Sequence, residues 1–198
     1  MSIEFQQKIA NHLLFNLELI APHAILAGGA PRDWYMGNLA NDLDFYFSLP
    51  QGLSSSIAAL QLQKILPIGC KPIKETAEFD EERNRLYQNL TGLCKIHFYE
   101  FNGIPVQFIE MESVKAVYRA VDNFDCSICK AWYKNKQVRT TEDFLLTLKT
   151  KIIALNNKAY SWSDPHPKKM YERFKSQGFV KGTKEQQVSK VIKEAIGV

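Results

Sequence analysis

Two aspartates, Asp42 and Asp44, stand two residues apart inside a run of apolar and aromatic side chains. In an extended strand, side chains at i and i+2 point to the same face, so the two carboxylates are predicted to lie side by side. Two like charges held that close repel each other unless a cation lies between them. Because hard cations prefer carboxylate oxygens, the pair predicts a site for Mg²⁺ or Mn²⁺.

A glycine pair, Gly28 and Gly29, precedes these acids. Glycine lets the backbone approach a ligand closely, and N–H groups at a helix start suit phosphate. A metal-binding carboxylate pair beside a phosphate site is typical of phosphoryl or nucleotidyl transfer. The alternative is an acidic, solvated strand end, since Asp and Asn are common turn residues. The apolar neighbours Phe45 and Phe47 speak against it, because unpaired charge is disfavoured among them.

A strand–helix–strand unit must position these residues. The pattern predicts a strand over residues 24–27, a brief helix through Tyr35 and a second strand over Asp42–Ser48. The dipeptide Asn102-Gly103 is a strong hairpin signal. Other elements predicted in this half are helices over residues 4–20 and Ser54–Leu66, an exposed charged stretch over Thr76–Leu90, and hairpin strands over Cys94–Glu100 and Ile104–Met111.

Beyond about residue 112 the apolar spacing becomes helical. Helices are predicted over Ser113–Val121, Ser127–Tyr133, Thr141–Leu155, Lys168–Gln177 and Glu185–Ile196. The expected fold class is therefore α/β (α+β), with a mixed sheet. We expect a head over residues 1–120 and a basic helical region over residues 121–198 packed on it.

The charge of the chain is divided unevenly. Residues 1–120 carry 10 Lys and Arg against 13 Asp and Glu, a net charge of −3, whereas residues 121–198 carry 15 against 8, a net charge of +7. Such asymmetry is typical of a nucleic-acid surface on the basic part, so RNA is a candidate partner. The alternative is a solvated helical region decorated with lysines.

Composition and cysteine content favour a cytoplasmic protein without a membrane segment. The chain has 198 residues and 45% hydrophobic content, and no apolar run reaches transmembrane length. Cys126 and Cys129 form a C-x-x-C pair, but neither a second such pair nor a nearby histidine pair accompanies them. Buried free cysteines are therefore expected rather than zinc or redox chemistry. His97 and His166 look isolated in the sequence, and neither is assigned a ligand role.

The segment Leu26–Phe47 resembles the signature of the polymerase-β-like nucleotidyltransferases, GG-x-x-RD followed by D-x-D. It is most similar to the head domain of class II CCA-adding enzymes and poly(A) polymerases. The matching residues are Gly28, Gly29, Arg32, Asp33, Asp42 and Asp44. A family of small uncharacterised nucleotidyltransferase-like proteins, many of them phage-encoded, is also similar at Gly103–Ile109, Phe124–Cys129 and Arg173–Phe179.

The resemblance implies that Asp42 and Asp44 are the catalytic metal ligands. It implies further that Gly28, Gly29 and Arg32 hold the phosphates of a nucleoside triphosphate. The stretch Asp122–Tyr133 resembles the second motif of the family, approximately RRD-x-T-x-NA, in which Asp125 would help to bind the nucleotide. We expect Asp33 to support Arg32 rather than to touch metal.

The chain departs from this pattern at two places. Gln107 occupies the position where the third strand of the family usually offers another acid, and glutamine is a poorer ligand for a hard cation. Glu110 is the other candidate ligand, but its strand parity turns it to the opposite face unless a bulge intervenes. Asn123 and Phe124 replace the two arginines of the second motif.

The resemblance therefore implies metal-dependent transfer of a nucleoside monophosphate from an NTP to an acceptor hydroxyl, with an RNA such as tRNA as the expected acceptor. Two alternatives remain open. One is a degenerate module of the same fold that binds RNA or a protein partner, and the other is a toxin-like or phage enzyme that modifies a host target. Arg173 and Lys175 are expected on a solvated helix face, and the alternative is that they touch phosphate.

Overall fold

The computed structural model describes residues 1–50, 55–73, 91–156 and 160–196. The strands are β1 (Ile25–Ala27), β2 (Leu43–Phe47), β3 (Lys71–Pro72), β4 (Leu93–Phe101), β5 (Ile104–Met111), β6 (Ala131–Lys134), β7 (Gln137–Thr140), β8 (Ile152–Ala154) and β9 (Val180–Gly182). The helices are α1 (Ile3–Glu18), α2 (Gly29–Tyr35), α3 (Ser55–Ile65), α4 (Val114–Asp122), α5 (Glu142–Thr150), α6 (Pro165–Phe174) and α7 (Lys184–Ile196).

Seven of the described strands form one mixed sheet in the order β3-β4-β5-β2-β1-β6-β7. Strand β2 is central, because it pairs antiparallel with β1 and parallel with β5. The remaining strands, β8 and β9, pair in parallel as a separate small sheet. The predicted α/β fold class with a mixed sheet is confirmed. None of the described helices is long and apolar enough to cross a membrane.

Side-chain alternation along β2 divides the core into two layers. Leu43, Phe45 and Phe47 belong to the cluster that contains α1, whereas Tyr46 belongs to the cluster that contains α4. Asp44 lies between Leu43 and Phe45 in the strand, so it shares the face of Tyr46. The sheet therefore fixes the direction of the Asp44 carboxylate before any polar contact is formed.

Gln6 on α1 holds the loop that leads into Asp42. Its Oε1 accepts hydrogen bonds from Trp34 Nε1 and from the Ala40 N–H, each at 2.9 Å. Its Nε2 donates to the Ala40 carbonyl at 2.8 Å, and the side chain is buried. Because a buried amide is costly to leave unpaired, these bonds fix the loop against α1.

The hairpin of β4 and β5 forms at the predicted position. Its turn residues, Asn102 and Gly103, both have positive φ, 53° and 74°. This is the conformation that favours Asn-Gly in two-residue hairpins. The turn sets the register that brings Gln107 opposite Phe98, and β5 in turn places Gln107 beside Asp44 of β2.

The predicted helix over Ser127–Tyr133 is wrong. A single 3₁₀ turn, Ser127–Cys129, is followed by strand β6, which pairs with both β1 and β7. The hairpin turn between β6 and β7 is Asn135–Lys136, and both residues have positive φ. An open edge of β1 and the aromatic residues of β6 outweigh the i, i+4 spacing that predicted a helix.

Other predicted boundaries also shift. The helix predicted over Thr141–Leu155 ends at Thr150, because Lys151 takes a left-handed conformation at φ 59° and the chain continues as β8. Helix α6 begins three residues before the predicted start, since proline is well suited to the first helical turn. The prediction for Thr76–Leu90 lies outside the described residues, and the division at residue 120 stays a prediction.

Burial in the central core predicts that two phenylalanine-to-alanine variants differ in stability. Phe108 is fully buried and stacks on Phe45 with ring centroids 5.3 Å apart, whereas Phe15 is 66% exposed. We expect Phe108→Ala to lower the free energy of unfolding by about 3–5 kcal/mol. Phe15→Ala is the matched control, with a change within about 0.5 kcal/mol. Urea unfolding measures both, and equal losses would contradict this description of the core.

Candidate active site

The two aspartates meet at the start of β2. Asp42 immediately precedes the strand and Asp44 is its second residue. Both side chains are half-buried. Among the described residues, the buried Oδ1 of Asp44 has no hydrogen-bond partner. Buried carboxylate oxygens are normally paired, so this oxygen is available to a ligand.

The electrostatics of the pair favour a proton or a cation. Burial and the neighbouring charge of Asp42 raise the pKa of Asp44 well above its usual value, although Arg32 opposes them. Burial also raises the pKa of Asp42, against the nearby positive charges of Lys169 and Arg32. Two adjacent carboxylates with raised pKa values and an unpaired oxygen are a donor set that fits a hard divalent cation.

The glycine turn faces Asp42. Gly28 has φ 89° and ψ −121°, a conformation open in practice only to glycine, and its N–H donates to the Ala131 carbonyl at 2.9 Å. A Cβ added to Gly29 would lie 3.7 Å from Asp42 Oδ1. Glycine therefore leaves open space in front of the carboxylate. The N–H of Gly28 serves the sheet, Pro31 has no N–H, and the N–H of Arg32 donates to the Gly28 carbonyl, so the N–H groups of this helix start that could face a phosphate are those of Gly29 and Ala30.

Arg32 lies beneath the site in a buried network. Its Nε and Nη2 donate to the Asp33 carboxylate at 2.9 and 3.3 Å. Its Nη1 donates to Cys129 Sγ at 3.4 Å and to Met170 Sδ at 3.1 Å. Burial by itself lowers the pKa of Arg32, but Cys129 and Asp33 outweigh it and raise that pKa above its usual value. Arg32 is therefore a permanent positive charge next to Asp42 and Asp44.

Asp33 supports Arg32, as predicted, and also binds a second arginine. Its Oδ2 accepts a hydrogen bond from Arg173 Nη2 at 2.9 Å, and Asp33 is only 2% exposed. The expectation that Arg173 lies on a solvated face is wrong, because its side chain is 32% exposed and forms an ion pair with Asp33. A buried carboxylate between two guanidinium groups is well compensated.

Helix α6 supplies the residues that sequence reasoning missed. His166, Met170 and Arg173 contact Asp125, Arg32 and Asp33 respectively. Positions 166, 169, 170 and 173 follow the i, i+3, i+4, i+7 spacing of a single helix face, so Lys169 shares this face. That spacing was the available signal, but the sequence does not say which surface the face meets.

Asp125, predicted to bind nucleotide, is paired with a histidine. Its carboxylate oxygens lie 2.9 and 2.7 Å from His166 Nδ1. The expectation that His166 is isolated is therefore wrong. Cys129 lies close to both, and burial raises the pKa of its thiol to about 12. The cysteines are free, and Cys126 and Cys129 are buried as predicted, whereas Cys70 is half-buried and Cys94 is exposed.

Glu110 is not brought to the aspartate pair. It is in register with Phe47 on the opposite face of the sheet from Asp44, and it is 5% exposed. Its Oε2 lies 3.3 Å from Nε2 of His97. Gln107, by contrast, is directly in register with Asp44. The strand parity therefore places an amide, not a third carboxylate, beside the pair.

The raised pKa of Asp44 predicts a specific dependence of stability on pH. The folded state binds more protons than the unfolded state between the unfolded and the folded pKa of this group, so the free energy of unfolding falls as pH rises through that window. With metal removed by chelator at about pH 8, we expect Asp44→Asn to raise the free energy of unfolding by about 1–3 kcal/mol and to flatten the pH dependence.

Thermal and urea unfolding across this pH range measure the effect. Asp122→Asn is the control, because Asp122 is exposed, and it is expected to leave the profile of the unmodified chain unchanged. An Asp44→Asn profile as steep as that of the unmodified chain would show that Asp44 does not bear the charge penalty.

Solved structures of similar fold are CCA-adding enzymes and a tRNA nucleotidyltransferase. A CCA-adding enzyme in complex with ATP has a TM-score of 0.58 and 15% identity, over 97% of this chain and 45% of the other. A tRNA nucleotidyltransferase bound to a primer tRNA and an ATP analog has a TM-score of 0.52 and 17% identity, over 88% and 46%. The Thermotoga maritima CCA-adding enzyme complexed with tRNA has a TM-score of 0.52 and 14% identity, over 86% and 38%.

The chain thus spans less than half the length of these structures, and at such identities the likeness shows the fold alone. A search of functionally curated proteins gave no match. The model of the family described as Gad2, Gabija anti-defense 2 family protein, matches residues 3–151. Because this match covers most of the chain, the protein belongs to the Gabija anti-defense 2 family, and its fold is nucleotidyltransferase-like.

Proposed function

We propose that the protein is a metal-dependent nucleotidyltransferase that moves a nucleoside monophosphate from an NTP to an acceptor hydroxyl, and that this reaction serves an anti-defense role. The observation that carries the proposal is the buried, unpaired carboxylate oxygen of Asp44 next to Asp42 and the glycine turn. The nucleotidyltransferase-like fold supports the reaction class, and the family membership supports the biological role.

Asp42 and Asp44 would hold the metal, Mg²⁺ or Mn²⁺. When bound, the ion would polarise the α-phosphate and lower the pKa of the acceptor hydroxyl. Glu110 is left out of the proposed ligand set, because its carboxylate lies against His97 on the other face of the sheet. Gln107 beside Asp44 can offer only a neutral oxygen.

Other residues of the chain would contribute to binding of the triphosphate. The start of α2 and the bare Cα of Gly29 leave a seat for the triphosphate in front of Asp42. Arg32 is committed to Asp33 and to two sulfur atoms, so it would act on the phosphates through its charge rather than by a bidentate contact. The predicted contact of Asp125 with nucleotide remains a prediction, since both its oxygens lie against His166.

RNA is the proposed acceptor class. The net charge of +7 over residues 121–198 supports an anionic partner. Helix α6 from this region packs beside the aspartates and carries Lys169 and Arg173 on the site face. Two of the structures with a similar fold are complexes with tRNA, which supports the same choice.

A binding module without catalysis is the second candidate. Two observations favour it: Gln107 stands where a third acid would complete the metal site, and Phe124 stands where the motif of the resembled enzymes has an arginine. The Phe124 ring lies 3.7 Å from where a Cβ on Gly28 would stand. An apolar ring close to the glycine turn cannot replace the bidentate phosphate contact of an arginine.

Labelled nucleotides separate the two candidates. With α-labelled NTPs, Mg²⁺ and RNA, we expect the purified chain to transfer label to RNA, and Asp42→Asn or Asp44→Asn to reduce the rate by about 10²–10³-fold or more, as for loss of a group that stabilises transition-state charge. Glu110→Gln is the matched acidic control and should keep the rate. Transfer that is unaffected by both aspartate variants would refute the mechanism.

The anti-defense role has its own test in cells. In bacteria protected by Gabija, we expect expression of the chain to restore phage infection, and Asp44→Asn to abolish this restoration because it removes the proposed metal ligand. Plaque counts measure it, with immunoblots to show equal expression of the variant. Full restoration by the Asp44→Asn variant would favour the binding module over the enzyme.

A further inference from the structure

A second group of potential metal ligands consists of residues other than the aspartate pair. One atom each of Asp125, Cys129 and His166 lies within 4.8 Å of the other two. Asp125 follows α4, Cys129 ends the 3₁₀ turn and His166 lies in the first turn of α6. We call these three residues the Asp–Cys–His cluster. The chain brings them together across 41 residues of sequence.

The donor set differs in kind from that of Asp42 and Asp44. A carboxylate, a thiolate and an imidazole are the ligands that zinc takes in proteins, whereas Mg²⁺ prefers oxygen alone. We propose that the Asp–Cys–His cluster binds a single zinc-class ion, separate from the magnesium of the proposed reaction. The assignment does not depend on the proposed nucleotidyl transfer.

Hydrogen bonds from neighbouring groups help to position two of the three ligand residues. Arg32 Nη1 donates a hydrogen bond to Cys129 Sγ at 3.4 Å, which fixes the position of the sulfur atom. The backbone carbonyl of Asp125 accepts the Asn156 N–H at 2.7 Å, which fixes the chain at this ligand. Such partners orient ligands and tune their charge.

The charges balance around a divalent ion. Binding replaces the thiol proton of Cys129 with the metal, so one thiolate and one carboxylate compensate a dication while His166 stays neutral. Asp33 forms ion pairs with both Arg32 and Arg173, so it offsets part of the guanidinium charge beside the cluster. Three protein ligands leave one position of a tetrahedral site for water or another ligand.

Cys126 is not part of the cluster, although it completes the C-x-x-C pair with Cys129. Its thiol is not among the three ligand atoms that lie within 4.8 Å of one another, although Cys126 and Cys129 both pack in the hydrophobic cluster that contains Ile153 and Phe174. His166, in contrast, is half-buried at the start of α6, with 35% of its side chain exposed. The imidazole therefore has room to move away from Asp125 far enough for an ion to bind between them.

An ion here would fasten α6 to the 3₁₀ turn. Helix α6 also carries Arg173, which binds Asp33 beneath the aspartate pair. Metal in the Asp–Cys–His cluster would thus stabilise the folded state and the position of this helix by mass action. The effect is on stability, so it can be measured without any nucleotide.

Cobalt(II) is the probe that distinguishes the two metal sites. We expect the purified chain to bind one equivalent of Co²⁺ with a thiolate-to-cobalt charge-transfer band, because Cys129 supplies sulfur. Excess Mg²⁺ should not remove the band, and Asp44→Asn should keep it. Folded protein that shows no such band at stoichiometric Co²⁺ would overturn the proposal.

Variants assign the ligands. His166→Ala is expected to weaken zinc affinity by more than about tenfold, because even the loss of a residue that only supports a metal ligand usually weakens affinity by that much. Competition with a chelating dye measures the affinity. His23→Ala is the matched control, since His23 is exposed and distant in sequence, and should keep the affinity. Cys129→Ser should abolish the charge-transfer band, while Cys126→Ala should keep it.

The His166→Ala variant is less prone to misfolding than the cysteine variants, because the position of His166 is partly exposed whereas the cysteine positions are buried. Circular dichroism of each variant without metal confirms that the fold is kept. Zinc affinity that is equal in the unmodified chain and in a folded His166→Ala variant would overturn the assignment, whatever the cysteine variants show.

Discussion

The repulsion between Asp42 and Asp44 is the constraint around which the site is arranged. Asp44 lies in a central strand and Asp42 immediately precedes it, which leaves the two carboxylates close together and partly removed from water. Neither can move away, because β2 pairs on both sides and Gln6 fixes the loop that precedes it. In such a place, charge of one sign accumulates unless protons or cations compensate it.

Positively charged side chains near the pair offset this repulsion. Arg32 is buried and fixed by Asp33, and Asp33 in turn binds Arg173 of α6. The network thus joins the helix after the glycine turn to a helix 140 residues further along the chain. A substitution in α6 therefore changes the electrostatics of carboxylates that it does not touch.

The chain has a nucleotidyltransferase-like fold, but its sequence departs from the motifs of the enzymes that it resembles. Phe124 lies close to the glycine turn where those motifs have an arginine, while α6 adds positive side chains near Asp42. Function depends on the site and not on the fold, so the loss of arginines and of a third acid bears directly on activity. Membership of the Gabija anti-defense 2 family is independent of that question.

Local pattern sufficed for the parts of the protein that local forces determine. Alternation along β2 placed Asp44 on a definite face, Asn102-Gly103 specified the hairpin, and strand parity turned Glu110 away from the pair. In each case the side-chain period or the turn conformation follows from neighbouring residues alone. The sequence by itself therefore determined the aspartate pair and most elements around it.

Only the tertiary structure decided what meets across long separations. Residues 131–134 became a strand because β1 offered an edge to pair with, and His166 met Asp125 because α6 packs on the 3₁₀ turn. Arg173 does not lie on the solvated face predicted for it, because it forms an ion pair with buried Asp33. Pairing and burial of this kind are settled by packing of the whole chain, and no local spacing encodes the partner.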